Sequence, residues 1–174
     1  RQQTADRAMA RGLISAVSTD PSCLQRCDLV VLALPIPALL QPDPALVDAL
    51  PRNAVITDVG SVKQPVLDRW KPLHPRFVAS HPMAGTALAG VEAGQRDLFR
   101  GRPWIATPDA GTEPEALARV QGLATQLGSQ WFTAAASQHD QAVALISHMP
   151  VLVSAALLRT AGDERDPEIR QLAQ

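Results

Sequence analysis

The sequence predicts an α/β fold built on a parallel sheet, followed by a region that is entirely helical. Three observations support this fold class. A continuous apolar run from Asp28 to Leu34 (DLVVLAL) is typical of a parallel strand that helices cover on both faces. Strand-like and helix-like segments alternate through the first 135 residues, as in right-handed βαβ crossovers. From Ser137 onward the apolar pattern is helical only.

Each predicted element has a local signal. Thr4 is predicted to cap the first helix, and Asp20 with Pro21 marks the start of a second, short helix. Pro35 and Pro37 are expected to end the first strand. Further strands are predicted over 54–57, 76–79, 104–107 and 130–133, and helices over 5–11, 44–50, 62–70 and 113–127, with a looser, partly helical segment over 87–99.

The second region is predicted to begin near residue 135, giving an α/β domain over 1–135 and the start of a helical domain over 136–174. Its helices are expected over 138–160 and 167–174, with a polar break between them. His139 and His148 are nine residues apart, so a straight helix at about 100° per residue points them to opposite sides. Pro150 removes a backbone donor, and we expect it to kink this helix near Ile146.

The composition excludes several classes of protein. With 174 residues, 46% hydrophobic content and a net charge of −1, the chain has an ordinary globular composition and no basic footprint for nucleic acid or a membrane surface. No apolar run approaches the roughly 20 residues of a membrane span, and no secretory signal is visible. Cys23 and Cys27 suit neither a disulfide framework nor a zinc site, and we interpret them as thiols in a reducing cytoplasm.

The candidate site lies where two predicted strands end in polar loops. Ser61 follows one strand in the segment TDVGSVK, and His81 follows the next strand in SHPMAGT. Open α/β sheets bind ligands outside the carboxyl ends of their strands, so the two side chains are expected to meet there. A histidine in that position can act as a general base near neutral pH. Spacing alone leaves open an alternative, in which Ser61 caps the next helix and His81 is a hydrogen-bonded loop residue.

Several motifs are absent from the sequence. The four histidines lack metal-ligand spacing, and neither a Gly-x-Ser-x-Gly elbow nor a P-loop is present, so neither a metal site nor acyl-transfer hydrolysis is expected. The Gly-x-Gly-x-x-Gly fingerprint of Rossmann domains is also missing, and we expect the chain to begin after the turn that carries it. The segment Arg1-Gln2-Gln3-Thr4 would then stand where an arginine for an adenosine 2′-phosphate is found.

Four segments together carry a resemblance to a known family: DLVVLALPIP, TDVGSVK, SHPMAGT and HDQAVALISHMPVLVSAAL. In this order and spacing they resemble the arogenate/prephenate dehydrogenases of tyrosine biosynthesis, most closely the bacterial arogenate dehydrogenases that prefer NADP. The resemblance implies a Rossmann-like parallel sheet, incomplete at its N-terminus, followed by the start of an all-helical dimerisation domain. Relative to that family, the first strand, the glycine-rich turn and most of the helical domain, with its substrate-binding arginine, are missing.

The resemblance also implies roles for individual residues. His81 matches the catalytic histidine, which accepts a hydrogen bond from the ring hydroxyl of the substrate as hydride leaves the same carbon. Ser61 matches the serine that positions this histidine and approaches the nicotinamide, while Thr86 and His148 match substrate-side positions. The matching cofactor-binding positions are Arg1, Gln2, Thr4, Leu34, Pro35, Ile36 and Ser61. An arginine at position 1 favours NADP because a guanidinium pairs bidentately with phosphate, and NAD is the alternative.

The expected activity is therefore the NADP-dependent oxidative decarboxylation of arogenate to tyrosine, in a cytoplasmic homodimer without metal, nucleic acid or membrane partners. One alternative is a prephenate dehydrogenase that uses NAD(P) and forms 4-hydroxyphenylpyruvate. Another is a non-catalytic, NADP-binding regulatory module, which would need Ser61 or His81 to be replaced, and both are present. A β-hydroxyacid dehydrogenase is disfavoured because the predicted helix over 138–160 contains no lysine.

Overall fold

The computed structural model describes residues 2–85 and 90–162. Its elements in chain order are α1 (Gln2–Ala10), β1 (Leu29–Leu32), α2 (Ile36–Leu40), α3 (Pro44–Ala49), β2 (Val55–Asp58), α4 (Gln64–Trp70), β3 (Phe77–Val78), β4 (Ser80–Pro82), β5 (Pro103–Ala106), α5 (Pro114–Gln126), β6 (Gln130–Thr133), α6 (Ala136–Val143) and α7 (Met149–Gly162). Short 3-10 turns lie at Pro21–Arg26 and Val91–Ala93, and a π-helical turn at Ala144–His148 joins α6 to α7. The α/β elements followed by helices confirm the predicted fold class.

Strands β1, β2 and β3 form a parallel sheet in that order, as the apolar run of β1 predicts. All four residues of the central strand β2 are buried, because helices pack on both faces of the sheet. One apolar cluster joins Ile56 to residues of α2 and α4, and the other joins Val55 to residues of α5. This packing fixes the carboxyl end of β2, where the candidate site begins.

Strands β4, β5 and β6 form a second sheet, in which β4 runs antiparallel to β5 and β5 runs parallel to β6. The expectation of a parallel sheet throughout is therefore wrong at the β4–β5 pair. Only Ala79 separates β3 from β4, so the chain runs directly from one strand into the other. Strand β5 then runs alongside β4 in the opposite direction. The Thr107 amide donates to the Ala79 carbonyl at 2.9 Å, which ties the bend between β3 and β4 to the residue after β5.

Two helix starts differ from the sequence prediction. Thr4 lies inside α1 and is not its N-cap. Pro35 and Pro37 end β1 as predicted, but they also begin α2, since the first turn of a helix needs no amide donors. The predicted helix start at Asp20 and Pro21 is confirmed, and the Asp20 side chain caps it by accepting a hydrogen bond from the Ser22 amide at 2.9 Å.

The helical region contains a π-helical turn at the predicted point of disruption. The Met149 amide donates to the carbonyl of Ala144, which is five residues earlier. Pro150 has no amide donor for the Ile146 carbonyl, and the widened turn accommodates this loss within a continuous helix. The expected kink thus takes the form of one extra residue in a turn. The helix predicted over 167–174 and most of the polar break before it lie outside the described residues.

The stretch Ala136–Thr160 is long and apolar enough, by length and composition, to cross a membrane, and an 18-residue window within it has a mean hydropathy of 1.8. The expectation that no apolar segment approaches that length is therefore wrong. Core helices of globular proteins meet the same criteria, so this property does not make the stretch a membrane helix. Its first turns pack on the α/β region through buried His139, whereas α7 exposes apolar side chains such as Leu158 at 75%.

A buried ion pair joins the end of β2 to β4. The Lys63 ammonium, with no exposed surface, contacts the Asp58 carboxylate and donates to the Ser80 carbonyl at 2.8 Å. Asp58 also accepts hydrogen bonds from the amides of Ser80 at 3.2 Å and Gly60 at 2.9 Å. Since an unpaired buried charge is strongly destabilising, these contacts hold the turn after β2 and the start of β4 in one fixed relation.

Replacing Lys63 with methionine is expected to lower the free energy of unfolding by about 3–5 kcal/mol, because Asp58 stays buried without its counter-ion. The matched control is Lys71→Met, which removes the half-exposed partner of Asp109 and should cost less than about 1 kcal/mol. Urea unfolding followed by tryptophan fluorescence measures both variants. Equal losses in the two variants would contradict a special role for the buried pair.

Candidate active site

Ser61 and His81 come together beyond the sheet, as the sequence predicts. Both line a cavity of about 420 Å³ whose lining is mostly apolar. The apolar side includes Leu34, Pro35 and Ile36, which connect β1 to α2. Five of the residues singled out in the sequence therefore surround one space. An apolar cavity wall beside a polar side chain is typical of sites that bind small molecules or cofactors.

A second cavity, of about 270 Å³, shares Ser61, His81 and Ala84 with the first. It is lined by Ser61, His81, Met83, Ala84, Gly85, Val143 and Ser147. His81 lies on β4, paired with Ile105, rather than in the polar loop that the sequence suggested. Strand pairing thus fixes the position of the His81 backbone. The His81 side chain lines both cavities and can therefore contact a ligand in either one.

The His81 imidazole is held by a second histidine from the helical region. Its Nδ1 lies 2.9 Å from Nε2 of His139, and the two rings meet edge to face at 76°. His139 is 2% exposed, and its Nδ1 lies 2.8 Å from Oδ1 of Asp140. Because Nδ1 of His81 is occupied in this way, Nε2 is the nitrogen through which His81 can contact a ligand.

Asp140 is itself held by the first amides of α4. The Lys63 amide donates to Oδ1 at 2.7 Å and the Gln64 amide donates to Oδ2 at 2.9 Å. Burial alone would raise the pKa of Asp140, but hydrogen bonds from the Gln64 amide, His139 and the Lys63 amide hold that pKa below its usual value. The carboxylate therefore stays charged at the positive end of α4, where a helix favours an anion.

The buried ion pair lies directly beneath this arrangement. Burial raises the pKa of Asp58 and lowers the pKa of Lys63, and each charge offsets part of the shift in the other. Both groups are hydrogen-bonded to the Ser80 backbone: Asp58 accepts from the Ser80 amide, and Lys63 donates to the Ser80 carbonyl. Since Ser80 precedes His81 on β4, the ion pair sets the position of the His81 backbone.

The environment keeps His81 neutral. Burial lowers its pKa to about 4, and the charge of the nearby Lys63 ammonium acts in the same direction. Asp140 raises that pKa without restoring it. At neutral pH the imidazole therefore has a free lone pair, which is what a general base or hydrogen-bond acceptor requires.

The other predicted site residues do not line the two cavities beside His81 or lie outside the described residues. His148 lies exposed in the π-helical turn, close enough for its charge to act on His81, while its neighbour Ser147 lines the second cavity. Thr4 is exposed on α1, the helix that Gln2 begins. Arg1 and Thr86 lie outside the described residues. Among residues 2–85 and 90–162 no cluster of His, Cys, Asp or Glu could hold a metal ion.

Three residues of the site were not singled out from the sequence, namely Asp58, Lys63 and Asp140, and His139 was considered only for its direction on the helix relative to His148. A signal for each was present, since Asp58 and Lys63 stand at the two ends of DVGSVK and His139-Asp140 opens HDQAVALISH. The pattern did not reveal their contacts, because Asp140 lies 77 residues from Lys63 and His139 lies 58 residues from His81. Only the folded chain brings them together.

Two family models match the chain. The model of the prephenate dehydrogenase nucleotide-binding domain matches residues 1–133, and the model of the prephenate dehydrogenase dimerisation domain matches residues 135–174. Among curated proteins, the cyclohexadienyl dehydrogenase of Zymomonas mobilis is 35% identical over 88% of this chain and 53% of its own length. The prephenate dehydrogenase of Bacillus subtilis is 32% identical over 74% of this chain and 36% of its own length.

Solved structures give the same result. The arogenate dehydrogenase of Synechocystis, 37% identical, superposes with a TM-score of 0.79 over 100% of this chain and 63% of its own. The prephenate dehydrogenase of Aquifex aeolicus in complex with hydroxyphenyl propionate and NAD+ is 29% identical, with a TM-score of 0.91 over 100% of this chain and 62% of its own. The chain spans about half the length of the curated relatives it matches over most of its own length. With one family model covering 133 of its 174 residues, the chain belongs to the prephenate dehydrogenase family.

Proposed function

We propose that this protein is a nicotinamide-dependent oxidoreductase that decarboxylates arogenate oxidatively to tyrosine, with NADP as the preferred cofactor. The observation that carries the proposal is the placement of His81, half-buried and with a lowered pKa, between an apolar cavity and a second cavity. Membership of the prephenate dehydrogenase family and the likeness to the Synechocystis arogenate dehydrogenase support the same reaction class. Prephenate, oxidised with NAD(P) to 4-hydroxyphenylpyruvate, is the alternative substrate.

The first cavity fits one end of a dinucleotide. Leu34, Pro35 and Ile36 give it an apolar wall, and Ser61 lies at the edge nearest His81. Such a cofactor supplies a hydride acceptor at the nicotinamide ring. The NADP preference rests on Arg1, with Gln2 and Thr4 beside it, as the site for the adenosine 2′-phosphate. NAD is the alternative, as the Aquifex aeolicus prephenate dehydrogenase has been solved with NAD+.

The second cavity then takes the substrate, with Thr86 and His148 as substrate-side residues. His81 Nε2 accepts the proton of the ring hydroxyl as hydride leaves the same ring carbon, and that carbon becomes a carbonyl. The carbonyl withdraws electrons from the ring, so the bond to the ring carboxylate breaks and CO2 departs. The electron pair of that bond remains in the ring, and the oxygen regains a proton to give the phenol. Ser61 is proposed to position His81 and to approach the nicotinamide.

The proposed domains are an α/β nucleotide-binding domain over 1–135 and a helical domain beginning at 136. The exposed apolar face of α7, which includes Leu152 and Leu158, supports a homodimer formed through the helical domain, because such a face is commonly an interface. A cytoplasmic location follows from this class of biosynthetic enzyme. The apolar stretch Ala136–Thr160 is then interface and core rather than a membrane helix.

Initial rates with arogenate and prephenate, each with NADP and with NAD, test the proposal on the full-length protein. Turnover of arogenate with NADP alone is the expected result. Efficient turnover of prephenate with NAD would keep the reaction class and overturn both finer assignments. Binding of NADP without turnover of either substrate would favour the alternative of a non-catalytic regulatory module.

His81→Asn is expected to lower kcat by about 100- to 10,000-fold while the Kd for NADP stays within about twofold, because asparagine can still bond to His139 but provides no base at the Nε2 position. Steady-state kinetics and titration of protein fluorescence with NADP give the two quantities. A parallel loss of NADP binding would indicate that His81 is structural.

The pH dependence of kcat/KM should show an acidic limb near pH 4 and a plateau at neutral pH, because burial lowers the pKa of His81 to about 4. Below that pH the imidazole is protonated and cannot accept the substrate proton. Above it the neutral form dominates, so activity rises with pH. A profile that is flat between pH 3.5 and 6, as approximate limits, would exclude His81 as the base.

A further inference from the structure

We infer that His139 and Asp140 are positioning residues that fix the proton arrangement of the His81 ring, so that its Nε2 lone pair faces the substrate. This inference rests on the proposed function. The chain of contacts runs from His81 Nδ1 to His139 Nε2 at 2.9 Å, and from His139 Nδ1 to Asp140 at 2.8 Å. No residue in this chain of contacts needs to touch the substrate except His81.

Asp140 determines which atom donates and which accepts in each of these hydrogen bonds. A carboxylate can only accept hydrogen bonds, and both oxygens of Asp140 already accept from backbone amides at the start of α4. The pKa of Asp140 lies below its usual value, so the side chain stays ionised. The His139 Nδ1 must therefore carry a proton and donate a hydrogen bond to Asp140.

The remaining assignments follow from the chemistry of a neutral imidazole. In the arrangement that we infer, His139 donates from Nδ1 to Asp140 and accepts at Nε2, because a neutral imidazole has one donor and one acceptor nitrogen. It accepts from Nδ1 of His81, which must then hold the His81 ring proton. The His81 Nε2 is left as a lone pair at the junction of the two cavities. When Nε2 takes the substrate proton, the hydrogen bond from Nδ1 persists and no second proton transfer is required.

The arrangement also couples His81 to the docking of the helical region. His139 and Asp140 lie on α6, whereas the amides of Lys63 and Gln64 belong to the α/β region at the start of α4. The side chain of Lys63, the N-cap residue of α4, makes no capping hydrogen bond, so Asp140 supplies the cap from another element. If α6 moved away, α4 would lose its cap and His81 would lose its partner together.

The titratable groups close enough to act on the pKa of His81 are Lys63 from the turn before α4, His139 and Asp140 from α6, and His148 from the π-helical turn. Among these, only His139 is hydrogen-bonded to the His81 ring in the described residues. Lys63 and His148 act on His81 through charge alone, so neither selects one neutral tautomer. The tautomer is therefore decided by the contact with His139 and, behind it, Asp140.

Nitrogen-15 NMR of the histidine rings in the full-length protein tests this directly. The wild-type protein at pH 7 is expected to show His81 with its proton on Nδ1. Asp140→Asn places an amide donor near His139, so the proton should move to Nε2 of His81 and kcat should fall by about 100- to 10,000-fold with little change in substrate KM. Asp68→Asn is the matched control, since Asp68 lies on α4 and, among residues 2–85 and 90–162, accepts a hydrogen bond from the Gln64 side chain alone, at 2.9 Å. It should leave the tautomer unchanged and kcat within about twofold.

A wild-type protein with the His81 proton on Nε2 would overturn the inference, and so would an Asp140→Asn variant with unchanged tautomer and kcat. If Asp140→Asn does not fold, His139→Phe decides, because it keeps a ring in place but removes both nitrogens. Full kcat in that variant would overturn the positioning role. The NMR measurement of the His81 ring proton does not depend on turnover. If the proton moves in Asp140→Asn but the wild-type protein has no dehydrogenase activity, the proposed function is refuted and the positioning role is supported.

Discussion

The burial of the Lys63 ammonium against Asp58 is the constraint on which the site depends. A charged group deep in a protein is stable only with a counter-ion and satisfied hydrogen bonds, so neither residue has freedom to move. Together they hold the amide and the carbonyl of Ser80 and the amide of Gly60. The turn that carries Ser61 and the strand that carries His81 are therefore positioned by one pair of charges.

A second electrostatic contact, between Asp140 and the start of α4, connects the helical region to this framework. The free amides at the start of a helix need acceptors, and Asp140 satisfies two of them with a single carboxylate. The same carboxylate holds His139, so a contact that stabilises the fold also orients a side chain at the cavity. Removing the helical region would thus affect both the stability of α4 and the chemistry of His81.

The helical region contributes Val143 and Ser147 to the second cavity beside His81. These residues are four apart, so they lie on the same face of the helix. Ser147 and His148 both belong to the π-helical turn Ala144–His148. Of these two, Ser147 lines the cavity, although the sequence made His148 the more obvious candidate.

Much of the fold was predictable because its signals are local. The apolar run of β1, the proline at the start of α3 and the Asp20 cap each depend on neighbouring residues, and each formed as expected. The antiparallel β4–β5 pair could not be predicted, since it results from a strand break of one residue, Ala79, and from pairing across more than 20 residues. The start of α2 was missed because Pro35 and Pro37 were interpreted only as the end of a strand, whereas proline is also favoured in the first turn of a helix.

By itself, the sequence determined most of the order of strands and helices and placed Ser61 and His81 close to the ends of two neighbouring strands, because hydrophobic periodicity and chain direction are properties of adjacent residues. Only the tertiary structure decided what surrounds His81. The pKa of its ring depends on burial, and its hydrogen-bond partner His139 lies 58 residues away. Burial and long-range contacts are set by the packing of the whole chain, so no local pattern could have revealed a neutral His81 held by His139 and Asp140.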